Sequence, residues 1–198
     1  MQEGARGIKF SKNEHIKNCI QCIIGKMTKR SFKVSESRAS KRLQLIHTDL
    51  AQMEDLSFKK HKYFLTFLDD YSRKCFVVFL RSKSQVAAAF AQFIVNIETQ
   101  TGEKIQRIRS DNGREYISKQ LVDQFKHVGI KHELTVPYNP QKNGRAERLN
   151  RSLKDIARTS LLEAKLPPIF WAEAIATASY LYNRWPKRSV QMKTPEEL

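Results

Sequence analysis

The strongest fold signal in the chain is YFLTFLDDYSRKCFVVFL, residues 63–80. Two runs of β-branched and aromatic residues flank the polar segment DDYSR at 69–73. Strand-forming runs on either side of a short polar segment predict a β-hairpin. Immediately upstream, LQLIHTDL at 43–50 predicts a further strand that ends at Asp49. The domain is therefore expected to open with three strands that can pair as antiparallel hairpins.

Downstream of the hairpin, residues 84–100 (SQVAAAFAQFIVNIETQ) have the apolar spacing of an amphipathic helix, which Gly102 closes. The large side chains that share its apolar face are Val86, Phe90, Phe93, Ile94 and Ile97. The same criteria predict a strand over 105–111, a helix over 118–127, a strand over 131–136, a loop over 137–144, and helices over 144–165 and 169–185. The order β-β-β-α-β-α-β-α-α predicts an α/β fold: a mixed five-stranded sheet with helices on both faces.

The charge of the chain points to a polyanionic partner. Its 198 residues include 36 Lys and Arg against 20 Asp and Glu, a net charge of +16. Nucleic acid is the simplest partner for such a charge, and a merely basic protein is the plainer alternative. Residues 1–42 hold eleven basic and three acidic residues, a net +8, and few apolar ones. We therefore predict a basic N-terminal arm over 1–42, a core over 43–185 and a C-terminal tail over 186–198.

The sequence also indicates the compartment. No run of about 18 apolar residues is present, and the first residues lack the apolar run of a signal peptide. Three cysteines, Cys19, Cys22 and Cys75, cannot form a disulfide framework and fit a reducing environment. We expect an intracellular protein without a membrane partner, with Cys75 in its core.

Three acidic residues stand where chemistry is expected. Asp49 and Asp111 close predicted strands, and Glu147 lies in the first turn of a helix after a loop. Strand ends and adjoining loops are where α/β folds assemble their sites. Converging carboxylates repel one another unless a cation neutralises them, and hard oxygen ligands favour Mg²⁺ or Mn²⁺. Taken singly, each has a plainer interpretation, as a turn residue or as a partner of the helix dipole.

The chain resembles the integrases of copia-type long-terminal-repeat retrotransposons, which are relatives of retroviral integrases. The resemblance is carried by IHTDL (46–50), YFLTFLDDYSRKCFVVFL (63–80), SDNGREY (110–116) and TVPYNPQKNGRAERLNRSL (135–153). The 35 residues between Asp111 and Glu147 match the spacing typical of that family's acidic triad. The chain departs from the family at AQMEDLS (51–57), where a Gly-Pro turn is usual.

The resemblance implies a ribonuclease-H-like fold and polynucleotidyl transfer. In this reaction water trims the element's DNA ends, and the new 3′-hydroxyls then attack phosphodiesters of target DNA. Asp49, Asp111 and Glu147 would hold the catalytic Mg²⁺ or Mn²⁺. The chain would be a fragment of a Pol polyprotein that acts on DNA as a homo-oligomer. The resemblance also implies that it resides in a cytoplasmic particle before import and functions in the nucleus.

Two neighbouring groups compete with the triad or assist it. Asp69 and Asp70 are paired acids after an apolar strand, but the resemblance places them at the hairpin turn, away from the metals. His47 precedes Asp49 by two residues and so faces the same side of the strand. It either supports the metal ligands or is a packed, hydrogen-bonded histidine.

Helical spacing predicts a DNA-binding face. Counting from Glu147, Arg151, Lys154 and Arg158 lie at i+4, i+7 and i+11 on one face of the helix. The stripe that faces the core comprises Ala146, Leu149, Leu153 and Ile156. Cations beside a metal ligand suit a phosphate backbone, and an ordinary solvated basic face is the alternative. In the family this helix and the preceding loop contact DNA, which adds Tyr138, Gln141 and Asn143 as candidates.

The pair Cys19 and Cys22 resembles the second half of the family's N-terminal zinc site, in which two histidines precede two cysteines. His15 lies only four residues before Cys19, which does not match the family spacing. Two thiolates do not complete a tetrahedral site. Zn²⁺ is therefore expected only if the missing histidine pair is supplied, as in a longer chain.

Two other functions fit part of the pattern. A ribonuclease-H-like nuclease shares the fold, but the segment PYNPQKNGRAER (137–148) belongs to the integrase branch. A catalytically inactive DNA-binding remnant of a decayed element is the alternative from outside the enzymes.

Overall fold

The computed structural model describes residues 38–135 and 144–198, and within them a mixed five-stranded sheet forms the centre of the fold, in the order β3-β2-β1-β4-β5. The strands are β1 (Ile46–Gln52), β2 (Tyr63–Asp69), β3 (Cys75–Leu80), β4 (Arg107–Ser110) and β5 (Lys131–Leu134). The helices are α1 (Val86–Thr101), α2 (Lys119–His127), α3 (Gly144–Glu163) and α4 (Trp171–Arg184). This order confirms the predicted α/β succession.

The strand pairing confirms the predicted mixed sheet. β1 pairs with β2, and β2 with β3, in antiparallel fashion around the turn at 70–74. β1 pairs with β4, and β4 with β5, in parallel, because helices carry the chain back between these strands. The chain thus places its leading hairpins at one edge of the sheet and its β-α-β units at the other.

The prediction that β1 ends at Asp49 is wrong. The strand continues to Gln52, since β2 supplies antiparallel partners as far as the pair Gln52 and Tyr63. Only the parallel ladder with β4 is short. Asp49 therefore lies inside β1, two residues beyond His47, the last residue of β1 that pairs with β4.

Helices cover both faces of the sheet, as predicted. On one face α1 and α2 pack on alternate strand residues such as Phe67, whose ring stacks on Phe93 at 3.9 Å between centroids. On the other face α3 and α4 pack on Phe64, which contacts the Trp171 ring. Burying each such side chain contributes roughly 1.5–3 kcal/mol. β2 is apolar on both sides because both sides are covered.

The predicted helix boundaries and core residues largely agree with the structure. α1 ends at Gly102, which adopts a left-handed conformation with φ of 70°. Every residue of its predicted apolar face is buried: Val86, Phe90, Phe93, Ile94 and Ile97. In α3 the buried apolar residues are Ala146, Leu149, Leu153 and Ala157, while Ile156 is half-buried.

The outer edge of the sheet is tied to α4 by one amide. Asn183 accepts a hydrogen bond from the Cys75 backbone N–H and donates one to the Cys75 carbonyl, both at 2.8 Å. The Cys75 side chain is buried, as predicted, and burial raises its pKa to about 11. Across the described part of the chain, no helix has both the length and the apolar character needed to cross a bilayer.

Candidate active site

The parallel pairing of β1 and β4 places two aspartates side by side. Ile46 pairs with Ile108 and His47 with Arg109. The ladder stops there, but the same offset carried two residues further leads from Asp49 to Asp111, the first residue after β4, and Asp111 is close enough to raise the pKa of Asp49. There the Asp111 carboxylate accepts a hydrogen bond from the backbone N–H of Gly113 at 3.0 Å.

Asn150 attaches α3 to the same strand. Its side-chain N–H donates to Asp49 Oδ2 at 2.8 Å, and its oxygen accepts from the Thr66 hydroxyl at 2.9 Å. Thr66 is the β2 residue that pairs with Asp49. Residues three apart on a helix share a face, so this anchor brings Glu147, in the first turn, toward the aspartates.

The pKa of the Asp49 carboxyl is shifted by its surroundings. Burial is the largest effect that raises its pKa, and the nearby Asp111 carboxylate is the second. Glu147 raises it further, while the hydrogen bond from Asn150 opposes the change, and the resulting pKa is about 6. The structure therefore brings Asp49 within electrostatic reach of both other acids, a crowd of like charges that a cation would relieve.

The donor chemistry here suits a hard divalent cation. Three carboxylates offer oxygen ligands, and Asn150 holds one of them in a fixed orientation. Within residues 38–135 and 144–198, no three His, Cys, Asp or Glu side chains lie close enough together to hold one metal ion. The metal-binding roles of Asp49, Asp111 and Glu147 stay predictions.

The predicted basic face of α3 lies beside Glu147, which is itself exposed. Arg151 and Arg158 are exposed, and Lys154 is half-buried with its ammonium 5.8 Å from the centroid of the Phe64 ring. Their contacts with DNA stay predictions. The other candidates lie outside the described residues: Tyr138, Gln141 and Asn143 for DNA, and Cys19 and Cys22 for zinc.

The paired acids of the hairpin turn have different surroundings. Asp69 caps the turn by accepting hydrogen bonds from the backbone N–H and the hydroxyl of Ser72, both at 2.7 Å. Asp70 is fully buried and accepts from His47 and Arg73 at 3.0 Å each, and from Arg145 of α3. His47 is accordingly a buried histidine whose hydrogen bond goes to Asp70.

These contacts set the charge states of the pair. Burial by itself would raise the pKa of Asp70, but the hydrogen bond from His47 and the Arg73 charge hold it well below its usual range. Burial lowers the pKa of His47, and Asp70 opposes that change. Asp70 is therefore an ionised carboxylate that pins the start of α3 to the turn.

Sequence reasoning missed Asn150, Thr66 and the ion pair of Asp70 with Arg145. The available signal for Asn150 is its place one helical turn after Glu147, inside an otherwise apolar stripe. Thr66 is a polar residue in the middle of the apolar run of β2. A buried polar residue requires a partner, which makes both positions informative.

Comparison with known proteins is consistent with this arrangement. The sequence model of the integrase core domain family matches residues 39–140. The chain is 43% identical over 192 residues to the retrovirus-related Pol polyprotein from transposon TNT 1-94 of Nicotiana tabacum. It is 32% identical over 178 residues to that from transposon RE1 of Arabidopsis thaliana. These alignments cover 96% and 90% of this chain but only 14% and 12% of the two polyproteins.

Solved structures share the fold. An intasome of simian T-cell lymphotropic virus in complex with the PP2A regulatory subunit B56 gamma aligns with a TM-score of 0.70 at 18% identity, over 91% of this chain and 62% of that one. The trimeric form of the HTLV-2 integrase catalytic core domain in complex with magnesium aligns with a TM-score of 0.61 at 20% identity. That alignment covers 81% of this chain and 98% of the other. The sheet and its helices thus have the ribonuclease-H-like fold of retroviral integrase cores.

Proposed function

Since the chain belongs to the integrase core domain family, as the integrase catalytic core of a retrotransposon Pol polyprotein, we propose that it catalyses divalent-metal-dependent DNA integration. The reaction comprises trimming of the element's 3′ ends and transfer of these ends to target DNA. The observation that carries the proposal is the hydrogen bond from Asn150 to Asp49, which attaches the helix of Glu147 to the strand of Asp49. Asp111 and Glu147 both raise the pKa of Asp49, which supports an arrangement of these three acids around one site beside a basic helix.

The three carboxylates have complementary positions for this chemistry. Asp49 is fixed twice, by the backbone of β1 and by the amide of Asn150. Asp111 follows the adjacent strand, and Glu147 approaches from α3. A bound pair of divalent cations would supply activation of the attacking oxygen and stabilisation of the leaving one. The side chains of Asp49, Asp111 and Glu147 would hold these ions through oxygen ligands.

The basic face of α3 would hold the DNA. Arg151, Lys154 and Arg158 continue along the helix from Glu147, so a phosphate backbone lying on them passes the acids. Integration joins two DNA ends to one target, and we propose that several copies of the chain assemble for it, in the nucleus. The relatives described as an intasome and as a trimeric core are consistent with such an assembly.

A strand-transfer assay tests the proposal. The substrate is a duplex with the terminal sequence of the element that encodes the chain, and Mg²⁺ and Mn²⁺ are compared in parallel. We expect transfer of the duplex ends into a target plasmid, and its loss in Glu147→Gln. Glu163→Gln is the matched control, because Glu163 is an exposed glutamate in the last turn of the same helix.

Calorimetric titration with Mn²⁺ gives a readout that does not depend on activity. The wild type and Glu163→Gln should bind the metal, and Glu147→Gln should bind it more weakly. Duplex binding without transfer under either metal would contradict the proposal and favour a DNA-binding remnant. Transfer that survives Glu147→Gln would equally reject the assigned site.

A further inference from the structure

We propose that Arg73, Arg145 and Arg148 form a second phosphate-binding site, which takes a backbone phosphate of DNA on a side of α3 turned away from the acids. The inference rests on the proposed function, since it assumes that DNA is the bound polyanion. It adds a contact outside the acidic triad, on the side of the helix that adjoins the face of Arg151.

The proposed site lies on one side of α3. Arg145, Arg148 and Ser152 share one face of α3, since they are three and four residues apart. At 3.6 residues per turn this face lies roughly 110° around the helix from that of Glu147 and Arg151. Arg148 lies three residues before Arg151, so the two basic faces of the helix adjoin at Arg148.

This side of α3 borders a cavity. A pocket of about 200 Å³ lies between α3, the hairpin turn and the segment after α4. Its lining joins three guanidinium groups with hydroxyl donors on an apolar floor: Arg73, Arg145, Arg148, Ser152, Tyr182 and Ser189. Guanidinium and hydroxyl groups are the usual partners of phosphate oxygens.

The cavity has an excess of positive charge. Arg73 and Arg145 both pair with Asp70, which is 0% exposed, whereas their own side chains are 13% and 24% exposed. The carboxylate is thus hidden while both cations reach the pocket. Arg148 is exposed, and no ion pair involves it within the described residues. One acid against three arginines leaves an excess of two positive charges.

Two of the three arginines are preorganised. Asp70 holds the guanidinium groups of Arg73 and Arg145 in place through hydrogen bonds before any ligand arrives. Arginines fixed in this way lose less conformational entropy when they bind a phosphate. Burial lowers the pKa of Arg73, and the Arg145 and Arg38 charges lower it further despite Asp70. An anion in the pocket would relieve this repulsion.

The arrangement favours DNA over a small soluble anion. Arg148 stands exposed at the rim, where it can follow a backbone that continues past the pocket. The same helix carries the proposed catalytic glutamate, so a polyanion held near the acids lies within reach of both basic faces. The net charge of +16 attracts extended polyanions in particular.

The test measures binding of the full chain to a short duplex by fluorescence anisotropy, without divalent metal and over a range of salt concentrations. Arg148→Gln is the test variant, because its exposed side chain can be changed without breaking the ion pairs of Asp70. Loss of one phosphate contact should weaken binding about eightfold at ~0.1 M salt and reduce the salt slope by about 0.9. Lys126→Gln is the matched control, an exposed lysine of α2 beside the other edge of the sheet.

The outcomes separate the possible ligands. Equal affinities and slopes for Arg148→Gln and Lys126→Gln would overturn the proposal. Inorganic phosphate, added at constant ionic strength, is the second probe. If it raises the melting temperature of the wild type but not of Arg148→Gln while duplex affinity is unchanged, the pocket takes a small anion and the DNA assignment is rejected. If Arg148→Gln weakens duplex binding but the wild type shows no strand transfer, the proposed function is rejected and this phosphate site is retained.

Discussion

Replacing Asp49 with asparagine is expected to stabilise the metal-free protein and to abolish its response to divalent cations. Partial burial and the charges of Asp111 and Glu147 raise the pKa of Asp49 to about 6. An asparagine cannot ionise, and its amide oxygen can still accept the hydrogen bond from Asn150. The substitution therefore removes the unfavourable charge and keeps the anchor.

The magnitude and its pH dependence follow from that pKa. A rise from 3.8 to about 6, at about 1.4 kcal/mol per pH unit, sets an upper value of about 3 kcal/mol. Because the folded state binds the Asp49 proton more tightly than the unfolded state, ionisation destabilises the fold as the pH rises from 3.8 through 6. The gain in Asp49→Asn should be absent below pH 3.8 and complete above pH 6.

Urea unfolding with EDTA, repeated across this pH range, measures the effect. Asp155→Asn is the control, an exposed aspartate on α3, whose free energy of unfolding should change by no more than about 0.5 kcal/mol. Added Mn²⁺ should raise the stability of the wild type and leave Asp49→Asn unchanged. A variant that is less stable than the wild type at neutral pH, or a difference that does not vary with pH, would refute the reasoning.

Three further outcomes are expected. Asn150→Ala should weaken Mn²⁺ binding in calorimetry and lower the free energy of unfolding by about 1–3 kcal/mol, because it removes the hydrogen bond to the Asp49 carboxylate and one of the two acceptors of the Thr66 hydroxyl. Unchanged metal affinity would show that the anchor on Asp49 is dispensable. Asp70→Asn should cost about 3–5 kcal/mol in urea unfolding at neutral pH, since the buried charge pairs with Arg145, and a loss below 1 kcal/mol would argue against that pair. Phe67→Ala should cost about 3–5 kcal/mol through the cavity it leaves, with strand-transfer activity retained at temperatures well below the midpoint of unfolding.

The fold was largely predictable because its signals are local. The two β-branched and aromatic runs that flank a short polar segment in 63–80 specify a hairpin, and the helical spacing that ends at Gly102 specifies α1. The end of β1 was predicted wrongly at Asp49, because the length of a strand depends on its partners. β2 extends the antiparallel ladder to Gln52 after the parallel ladder has stopped, and no residue within β1 signals this.

The sequence could nominate the acids of the candidate site but not the residues that support them. Asp49 and Asp111 were proposed from predicted strand ends and from the resemblance, and although Asp49 lies inside β1, the offset of β1 and β4 is consistent with the two residues being neighbours. The anchor at Asn150 depends on how α3 docks on the sheet, which no local pattern specifies. Asp70 was assigned to the turn alone, since its partner Arg145 lies 75 residues away in the sequence.

The amide that ties Asn183 to Cys75 has a consequence for how copies of the chain can meet. An unpaired edge strand is an open template for strands from other molecules. A carboxamide offers the same donor and acceptor as a peptide group, so Asn183 occupies the first outward-facing position of β3 as a substitute neighbour. Addition of a further strand at the start of β3 is thereby discouraged, because this peptide group already has its donor and its acceptor.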